Sequence, residues 1–358
     1  MTSSLDIQKP EERVRPGTGS VRRWTRSSYI GSSTMAVGVI VLAALPYMVA
    51  VADLYAMIDL FILLILAAMW NLLAGYGGMV SIGQQAFIGL GAYSLVVLAD
   101  TLGLNVFLAV PAAAIVCAVV AVPMSYLAFR LVGGYFAIGT WVISEVVRLV
   151  VVQIPQVGGG SGLSLGALSG VDRVLRIAYT YWAALAVAVA VVLVCVFLVR
   201  SRAGMALTAV RDDPIAASTS GVYVTQTKRL VFVIAAAGCG AAGSLIALST
   251  LRVQPDSVFS VQWSVFMIFM VIVGGLGTLE GPIIGVVVFW VLKQTLADFG
   301  PLYLILLGVV GIFFVLFVRN GVWGLVSRKR RIYLFPIGYQ VTGLAGSRQS
   351  LLKKGPYL

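Results

Sequence analysis

The chain has 358 residues, of which 60% are hydrophobic and 11% are charged, and its mean hydropathy is +1.02. This composition excludes a water-soluble domain and indicates a polytopic membrane protein. The net charge of +12 does not indicate nucleic acid binding, because the basic residues lie at the ends of apolar runs. The sequence contains no histidine, which excludes Ser-His-Asp catalysis and histidine-ligated zinc or haem.

From the N-terminus, residues 1–32 are polar and basic, which predicts a cytoplasmic leader and not a cleaved signal peptide. Apolar runs then follow that are long enough, or nearly so, to cross about 30 Å of hydrocarbon as helices. They cover residues 33–51, 53–75, 79–99, 106–129, 134–152, 180–199, 229–250, 262–277, 281–299 and 302–318. We therefore predict an all-α fold with about ten transmembrane or re-entrant helical segments, in a permease domain over 33–319 followed by a cytoplasmic basic tail over 320–358.

The basic residues predict the orientation of these segments. With a cytoplasmic N-terminus, most lysines and arginines fall on the cytoplasmic side, as the positive-inside rule requires. The exceptions are Arg173, Arg176 and Arg252 outside, and Arg148 and Lys293 within spans. Both termini and the loop 200–229 are therefore predicted to be cytoplasmic, and the loop 153–179 to lie outside.

Glycine clusters interrupt the apolar pattern at residues 75–78 and again at 274–277, which includes Gly275 and Gly277. Such breaks either let helices pack closely or expose backbone groups to a ligand near the midplane, and both interpretations stay open. The runs 79–99 and 262–277, beside the breaks, either span the membrane or re-enter it. Polar candidates for a translocation pathway follow the first break, namely Ser81, Gln84 and Gln85, with helix–helix hydrogen bonding as the alternative role.

Charged side chains occur inside the fifth run, where Trp141, Glu145 and Arg148 share one helical face. An unpaired charge near the middle of a span costs about 2.5–3.5 kcal/mol, so we expect Glu145 and Arg148 to pair and this face to look into the protein. The pair either fixes helix packing or lines the pathway. Lys293, near the outer end of its span, is predicted to snorkel to the interface or to meet Asp59 or Asp298.

The cysteines show no metal-binding or redox spacing and are interpreted as small buried hydrophobes; they are Cys117, Cys195 and Cys239. No metal site is predicted.

The cytoplasmic loop 200–229 contains the pattern of a two-turn helix. Asp213 is suited to the N-cap, Pro214 to the first helical position and Gly221 to a left-handed residue after the end. So short a helix is marginal alone in water, which indicates that a partner stabilises it. The alternative is an ordinary loop with a helical kink.

Five motifs, in this order, carry a resemblance to a known family. They are "NLLAGYGGMVSIGQQAFIGLGAY" at 71–93, "GGYFAIGTWVISEVVRLV" at 133–150, "GGGSGLSL" at 158–165, "AAxxxG" at 216–221 and "VGGLGTLEGPIIG" at 273–285. Over about residues 35–320 the chain resembles the LivM-type permeases of branched-chain amino acid ABC transporters, the LivH/LivM family. This resemblance implies a possible inverted repeat.

In that family the short helix docks in a groove of a separate ATPase. By resemblance, the ATPase-coupling residues are Arg211, Asp212, Asp213, Pro214, Ile215, Ala216, Ala217 and Gly221. Ile215 stands where the family consensus has glutamate, which puts one polar contact to the ATPase in doubt.

The family implies a transport subunit, not an enzyme, in a bacterial inner membrane. Its implied partners are two ATP-binding-cassette ATPases, a second, LivH-like permease, a periplasmic or lipid-anchored solute-binding protein docking at 153–179, and membrane lipids. The chain has no GxxxxGK[ST] motif, so ATP and Mg²⁺ are expected on the ATPase and no cofactor on this chain. The expected solute is a branched-chain or related amino acid, with urea, short amides and aromatic acids as alternatives.

Two other classes of protein are alternatives to the importer subunit. An ion-coupled secondary transporter would use Glu145 as its protonated group. A membrane-embedded enzyme is disfavoured, because the buried acids are scattered.

Overall fold

The structure is a computed structural model that describes residues 20–22, 26–296, 300, 302–318, 321–330 and 340–342. Most of the predicted leader and tail, and Asp298, lie outside the described residues. The helices are α1 Arg26–Ala44, α2 Val51–Asn71, α3 Gln85–Val96, α4 Val106–Ala128, α5 Gly134–Val152, α6 Arg173–Arg200, α7 Arg202–Asp212, α8 Pro214–Thr219, α9 Val224–Thr250, α10 Pro255–Val258, α11 Gln262–Gly274, α12 Glu280–Leu296, α13 Leu302–Phe317 and α14 Gly321–Arg330.

Short elements join or extend these helices. Turns of 3-10 helix occur at Leu45–Tyr47, Pro155–Val157 and Gly159–Ser161, and π-helical turns extend α2 over Leu72–Tyr76 and α3 over Val97–Thr101. Four short strands, β1 Ser20–Arg22, β2 Leu163–Ser164, β3 Arg252–Val253 and β4 Gln340–Thr342, form two antiparallel pairs. In these pairs β1 lies beside β4, and β2 lies beside β3 with Leu163 opposite Val253.

The predicted all-α polytopic fold is confirmed. Within the described residues, six helical stretches are long and apolar enough to cross a membrane: Val51–Tyr76, Val106–Ala128, Gly134–Val152, Arg173–Arg200, Val224–Thr250 and Pro255–Gly274. Shorter apolar helices occur at Ser33–Tyr47, Gln85–Thr101 and Ile305–Phe314. Of the two weak predicted runs, 79–99 becomes helical only at Gln85, and 262–277 ends as a helix at Gly274.

The two long loops lie at opposite ends of the bundle. At one end Asp100 accepts hydrogen bonds from the backbone amides of Gly166 and Ala167 at 2.9 and 2.8 Å, and β2 of the loop 153–179 pairs with β3. At the other end Arg229 of the loop 200–229 donates to Ser125 Oγ at 3.0 Å. This arrangement agrees with loops on opposite membrane faces.

Two pairs of helices, α2 with α3 and α9 with α11, follow the same order along the chain but run in opposite directions. The long helix α2 ends at the 200–229 end of the bundle and is followed by the short α3, which begins in the interior and leads to the 153–179 end. The long helix α9 runs the opposite way, and the short α11 that follows begins in the interior and leads back to the 200–229 end. This order is consistent with the possible inverted repeat.

The core is centred on α9, which packs against α2, α3 and α4. At the α3–α9 crossing a Cβ added to Gly91 would lie 2.0 Å from the carbonyl oxygen of Gly240, a distance that real side chains do not reach. Ser244 Oγ donates to the Gly91 carbonyl oxygen at 3.1 Å across the same contact. The predicted role of glycine in close helix packing is confirmed here, and the three cysteines are free and buried as predicted.

Candidate functional site

A polar cluster lies inside the bundle where α3 and α11 begin. Gln85 Nε2 donates to Ser144 Oγ of α5 at 2.9 Å, and the Ser264 hydroxyl of α11 bonds to Gln85 Oε1. Ser264 Oγ also donates to the Ile82 carbonyl oxygen at 2.9 Å. All three side chains are buried. Gln85 therefore joins both interior helix starts to α5.

The irregular stretch before α3 is held by further polar contacts. Ser81 Oγ accepts from the amide of Gly83 at 3.2 Å and from Gln84 Nε2 at 3.3 Å, and Thr140 Oγ1 of α5 accepts from the amide of Ile82 at 3.3 Å. Gln84 Oε1 is buried and has no hydrogen-bond partner in the described part of the chain. A buried acceptor without a hydrogen-bond partner lowers stability, so this oxygen is available to a polar ligand or to water.

The predicted pathway residues Ser81, Gln84 and Gln85 are thus brought together. The structure adds Thr140, Ser144 and Ser264, which sequence analysis missed. Serine and threonine in an apolar helix give no sequence signal that separates a pathway role from helix packing. Whether these residues line a pathway stays a prediction.

A charged cluster lies on the neighbouring, more exposed face of α5. Arg148 Nε donates to Glu145 Oε1 at 2.8 Å, so the predicted pairing is confirmed. Arg148 Nη1 also donates to Asp256 Oδ1 of α10 at 2.7 Å, a contact that sequence analysis missed because 108 positions separate the two residues. Arg148 therefore lies between two carboxylates, and the cluster carries a net charge of −1 if all three groups are ionised.

The prediction that this face looks into the protein is wrong for this chain. Trp141 is 47% exposed, and the side chains of Glu145 and Arg148 are 46% and 25% exposed. The reason is that α5 lies at the edge of the bundle and buries only the face that carries Thr140 and Ser144. A charged face on a membrane helix is costly against lipid, so it requires water or another protein chain.

For the first glycine break, the interpretation that places it near the midplane does not fit the helix. The π-helical turn carries the span Val51–Tyr76 through Gly75, to a length of about 39 Å at 1.5 Å per residue, so Gly75 lies at its end. The second break lies at the same end, because the amide of Gly277 donates to Asn71 Oδ1 at 2.9 Å. Gly275 begins this break and contacts Gly321, the first residue of α14. A pathway role for Gly275 and Gly277 stays a prediction.

The short helix of the loop 200–229 has the predicted local structure. Asp213 Oδ1 accepts from the amides of Ile215 and Ala216 at 2.8 and 3.1 Å, and Pro214 is the first residue of α8. Gly221 has a φ of +84°, the left-handed conformation expected after the helix. Ala217 is buried whereas Ile215 is 77% exposed, so α8 presents an apolar side chain to its surroundings.

Arg211 and Lys293 each form an ion pair within the chain. Arg211 Nη2 lies 2.9 Å from Asp212 Oδ1, so both predicted coupling residues are paired before α8 begins. Lys293 Nζ donates to Asp59 Oδ2 at 2.8 Å, which confirms one of the predicted partners.

Comparisons with known proteins agree on one family. Residues 53–316 match the family described as branched-chain amino acid transport system, permease component. Among curated proteins, the chain is 28% identical over 295 residues to the high-affinity branched-chain amino acid transport system permease protein LivM of Salmonella typhimurium, covering 75% of this chain and 69% of the relative. The Escherichia coli protein of the same description is 28% identical over 301 residues, with 76% and 70% covered. No solved structure matches the chain significantly.

Proposed function

This chain belongs to the branched-chain amino acid transport system permease family, and we propose that it is the membrane subunit of an ATP-driven importer for a branched-chain or related amino acid. The observation that carries the proposal is α8. This six-residue helix is capped by Asp213, ends before Gly221 and exposes the apolar Ile215. It is too short to be stable alone, and an exposed apolar tip is the feature that a docking groove on an ATPase would cover.

The assembly around the chain follows from this role. Two ATP-binding-cassette subunits hold ATP and Mg²⁺, and one of them contacts α8 from the cytoplasm, where both termini lie. A solute-binding protein delivers the solute to the outer loop 153–179, whose strand β2 pairs with β3 and whose middle is held by Asp100 at the amides of Gly166 and Ala167. The location is a bacterial inner membrane.

The exposed charged face of α5 indicates where the second permease subunit contacts this chain. Glu145 and Arg148 are too exposed to be covered by this chain and too costly to leave in lipid. A related permease packed against α5 encloses them in a shared pathway. There the carboxylates of Glu145 and Asp256 can meet the ammonium group of an amino acid, and Arg148 can meet its carboxylate.

Transport then follows alternating access. ATP closes the ATPase dimer, α8 moves with it, and the helices that begin in the interior, α3 and α11, shift relative to α5. The contact of Gln85 with Ser144 crosses the surface at which this shift occurs, and its contact with Ser264 joins the two helices that shift. Hydrogen bonds between uncharged side chains suit a moving surface, because they exchange partners at a modest cost in free energy and do not hold the solute tightly.

The proposal is tested by the substitution Ile215→Asp, measured as the amount of ATPase that co-purifies with the chain. A charge on the exposed tip of α8 should weaken docking in an apolar groove and leave membrane insertion intact. Val132→Asp is the matched control, because Val132 is also 77% exposed and lies in the turn between α4 and α5 at the same end of the bundle. Wild-type ATPase retention by Ile215→Asp would contradict docking through α8.

A further inference from the structure

Arg211 lies in the predicted coupling segment, but its guanidinium group contacts the membrane helices. It is the penultimate residue of α7, and its Nη1 donates to the carbonyl oxygen of Gly75 at 2.8 Å. Its Nε donates to Asp212 Oδ1 at 3.0 Å. Its aliphatic part packs on Gly78, where an added Cβ would lie 3.0 Å from Arg211 Cγ. The side chain is thus held against the end of α2.

The carbonyl oxygen of Gly75 is a suitable acceptor for a cation. It belongs to the last turn of the span Val51–Tyr76, where the negative end of the helix dipole lies. The amides of Gly77 and Met79, which follow, both bond to the carbonyl oxygen of Leu73. Arg211 therefore supplies a charge-assisted hydrogen bond to this helix end.

The same helix end is bound to the turn between α11 and α12. Asn71 Oδ1 accepts from the Gly277 amide at 2.9 Å, and Asn71 Nδ2 donates to the Thr278 carbonyl oxygen at 2.8 Å. A Cβ added to Gly75 would lie 2.6 Å from the Gly277 amide nitrogen, so the two backbones touch. We define the junction as residues 71–78 together with residues 275–278.

We propose that Arg211 is a positioning residue for transport, which delivers the movement of α8 to the junction, where the two halves of the permease meet. Asp213, which joins α7 to α8, donates its amide to the Ala209 carbonyl oxygen of α7 and caps α8 with its side chain. The two helices thus form one unit, and Arg211 is the polar link from that unit to Gly75. This proposal rests on the proposed function, because it requires that α8 is moved by an ATPase.

The experiment measures the position of the junction in the complete transporter with its ATPases. Spin labels are placed at Leu276 in the junction and at Val132 in the α4–α5 turn, which are 53% and 77% exposed. The distance between the labels is measured with and without ATP and vanadate, and ATP hydrolysis and ATPase retention are measured on the same samples. None of these measurements requires the identity of the solute.

We expect ATP to shift the label distance in the otherwise unchanged chain. Arg211→Gln should lose this shift while it keeps wild-type ATPase retention and ATP hydrolysis. Arg211→Lys, which keeps the charge and a donor, should restore part of the shift. The control Arg202→Gln removes the same charge at the start of α7 and should keep the full shift. If Arg211→Gln does not fold, Arg211→Lys is compared with the control Arg202→Lys. Arg211→Lys should then show a smaller change in label distance than the control while it retains the ATPases.

A full shift in Arg211→Gln would overturn the proposal, as would loss of the ATPases from this variant, because Arg211 would then be an ATPase contact. An unchanged label distance in the wild-type transporter that still hydrolyses ATP would overturn delivery to the junction. Failure of the proposed function is a different result, since no ATPase would then co-purify with the wild-type chain.

Discussion

Gln85, Asn71 and Arg148 each connect segments that are far apart in the chain. Gln85 contacts α5 and α11, Asn71 connects α2 to the α11–α12 turn, and Arg148 connects α5 to α10. Buried polar side chains such as Gln85 and Asn71 stabilise an apolar interior only when their hydrogen-bonding groups are paired. Removing one of these side chains therefore breaks more than one hydrogen bond.

At Gln85 this argument gives a measurable prediction. Gln85→Leu should remove the hydrogen bonds that Gln85 makes to the buried hydroxyls of Ser144 and Ser264 and lower the stability of the chain by about 1–3 kcal/mol, seen as a lower melting temperature in detergent. The control Gln226→Leu changes an exposed glutamine in the first turn of α9 and should change stability by less than about 0.5 kcal/mol. Equal melting temperatures for the two variants would contradict the structural role of Gln85.

Glu145 gives a second prediction at this scale. Glu145→Gln should lower solute uptake by the assembled transporter while ATPase retention stays at the wild-type level, because Arg148 keeps its contact with Asp256 and the fold is preserved. Asp59→Asn is the matched control, since it makes the same change in the ion pair with Lys293, to which we assign no transport role. The pathway assignment fails if the two variants transport alike.

Among the elements, α8 is stabilised by residues at both of its ends, because so short a helix has little tertiary packing of its own. Gly221 has a φ of +84°, and an added Cβ would meet no atom within 4 Å, so a larger residue would strain the backbone without a clash. Gly103, with a φ of +65° and equally open space, provides the same conformation at the opposite end of the bundle.

This pair of glycines separates backbone strain from function. Gly221→Val should reduce ATPase co-purification, because the strained end alters α8, whereas Gly103→Val should carry similar strain and leave co-purification unchanged. Membrane insertion and expression are measured for both. Equal ATPase retention in the two variants would contradict the assigned role of this helix end.

Two of the features that the sequence predicts correctly involve partners within one or two helical turns. The cap of Asp213 on Ile215 and Ala216 and the contact of Glu145 with Arg148 are of this kind. Ion pairing of Lys293 with Asp59 was predictable only because few charges lie within the membrane segments.

The features that the sequence does not predict depend on packing between distant segments. Asp256 lies 108 positions from Arg148, and Gly277 lies 206 positions from Asn71. Exposure of the charged face of α5 depends on which helices pack against it. The hydrophobic periodicity of the sequence does not predict which helices these are. The position of the first glycine break depends on a π-helical turn, whose hydrogen bonds continue the helix through a glycine that normally favours its end.

In the molecule as a whole, the polar contacts connect the loop 200–229 to both halves of the permease. The unit of α7 and α8 reaches α2 through Arg211, and α2 reaches α11 and α12 through Asn71. At the other end, Arg148 and Asp256 connect α5 to the segment before α11. A displacement at α8 can therefore reach the exposed face of α5 through contacts that are all within the described chain.

In the proposed function, this chain moves its solute only with energy supplied by a separate ATPase. The most direct measurement is accumulation of labelled leucine in proteoliposomes, with the purified chain alone under a proton or sodium gradient, and with the complete transporter and ATP. We expect ATP-dependent accumulation by the complete transporter and none by the chain alone. Accumulation of leucine against its gradient by the purified chain, driven by an ion gradient, would contradict it.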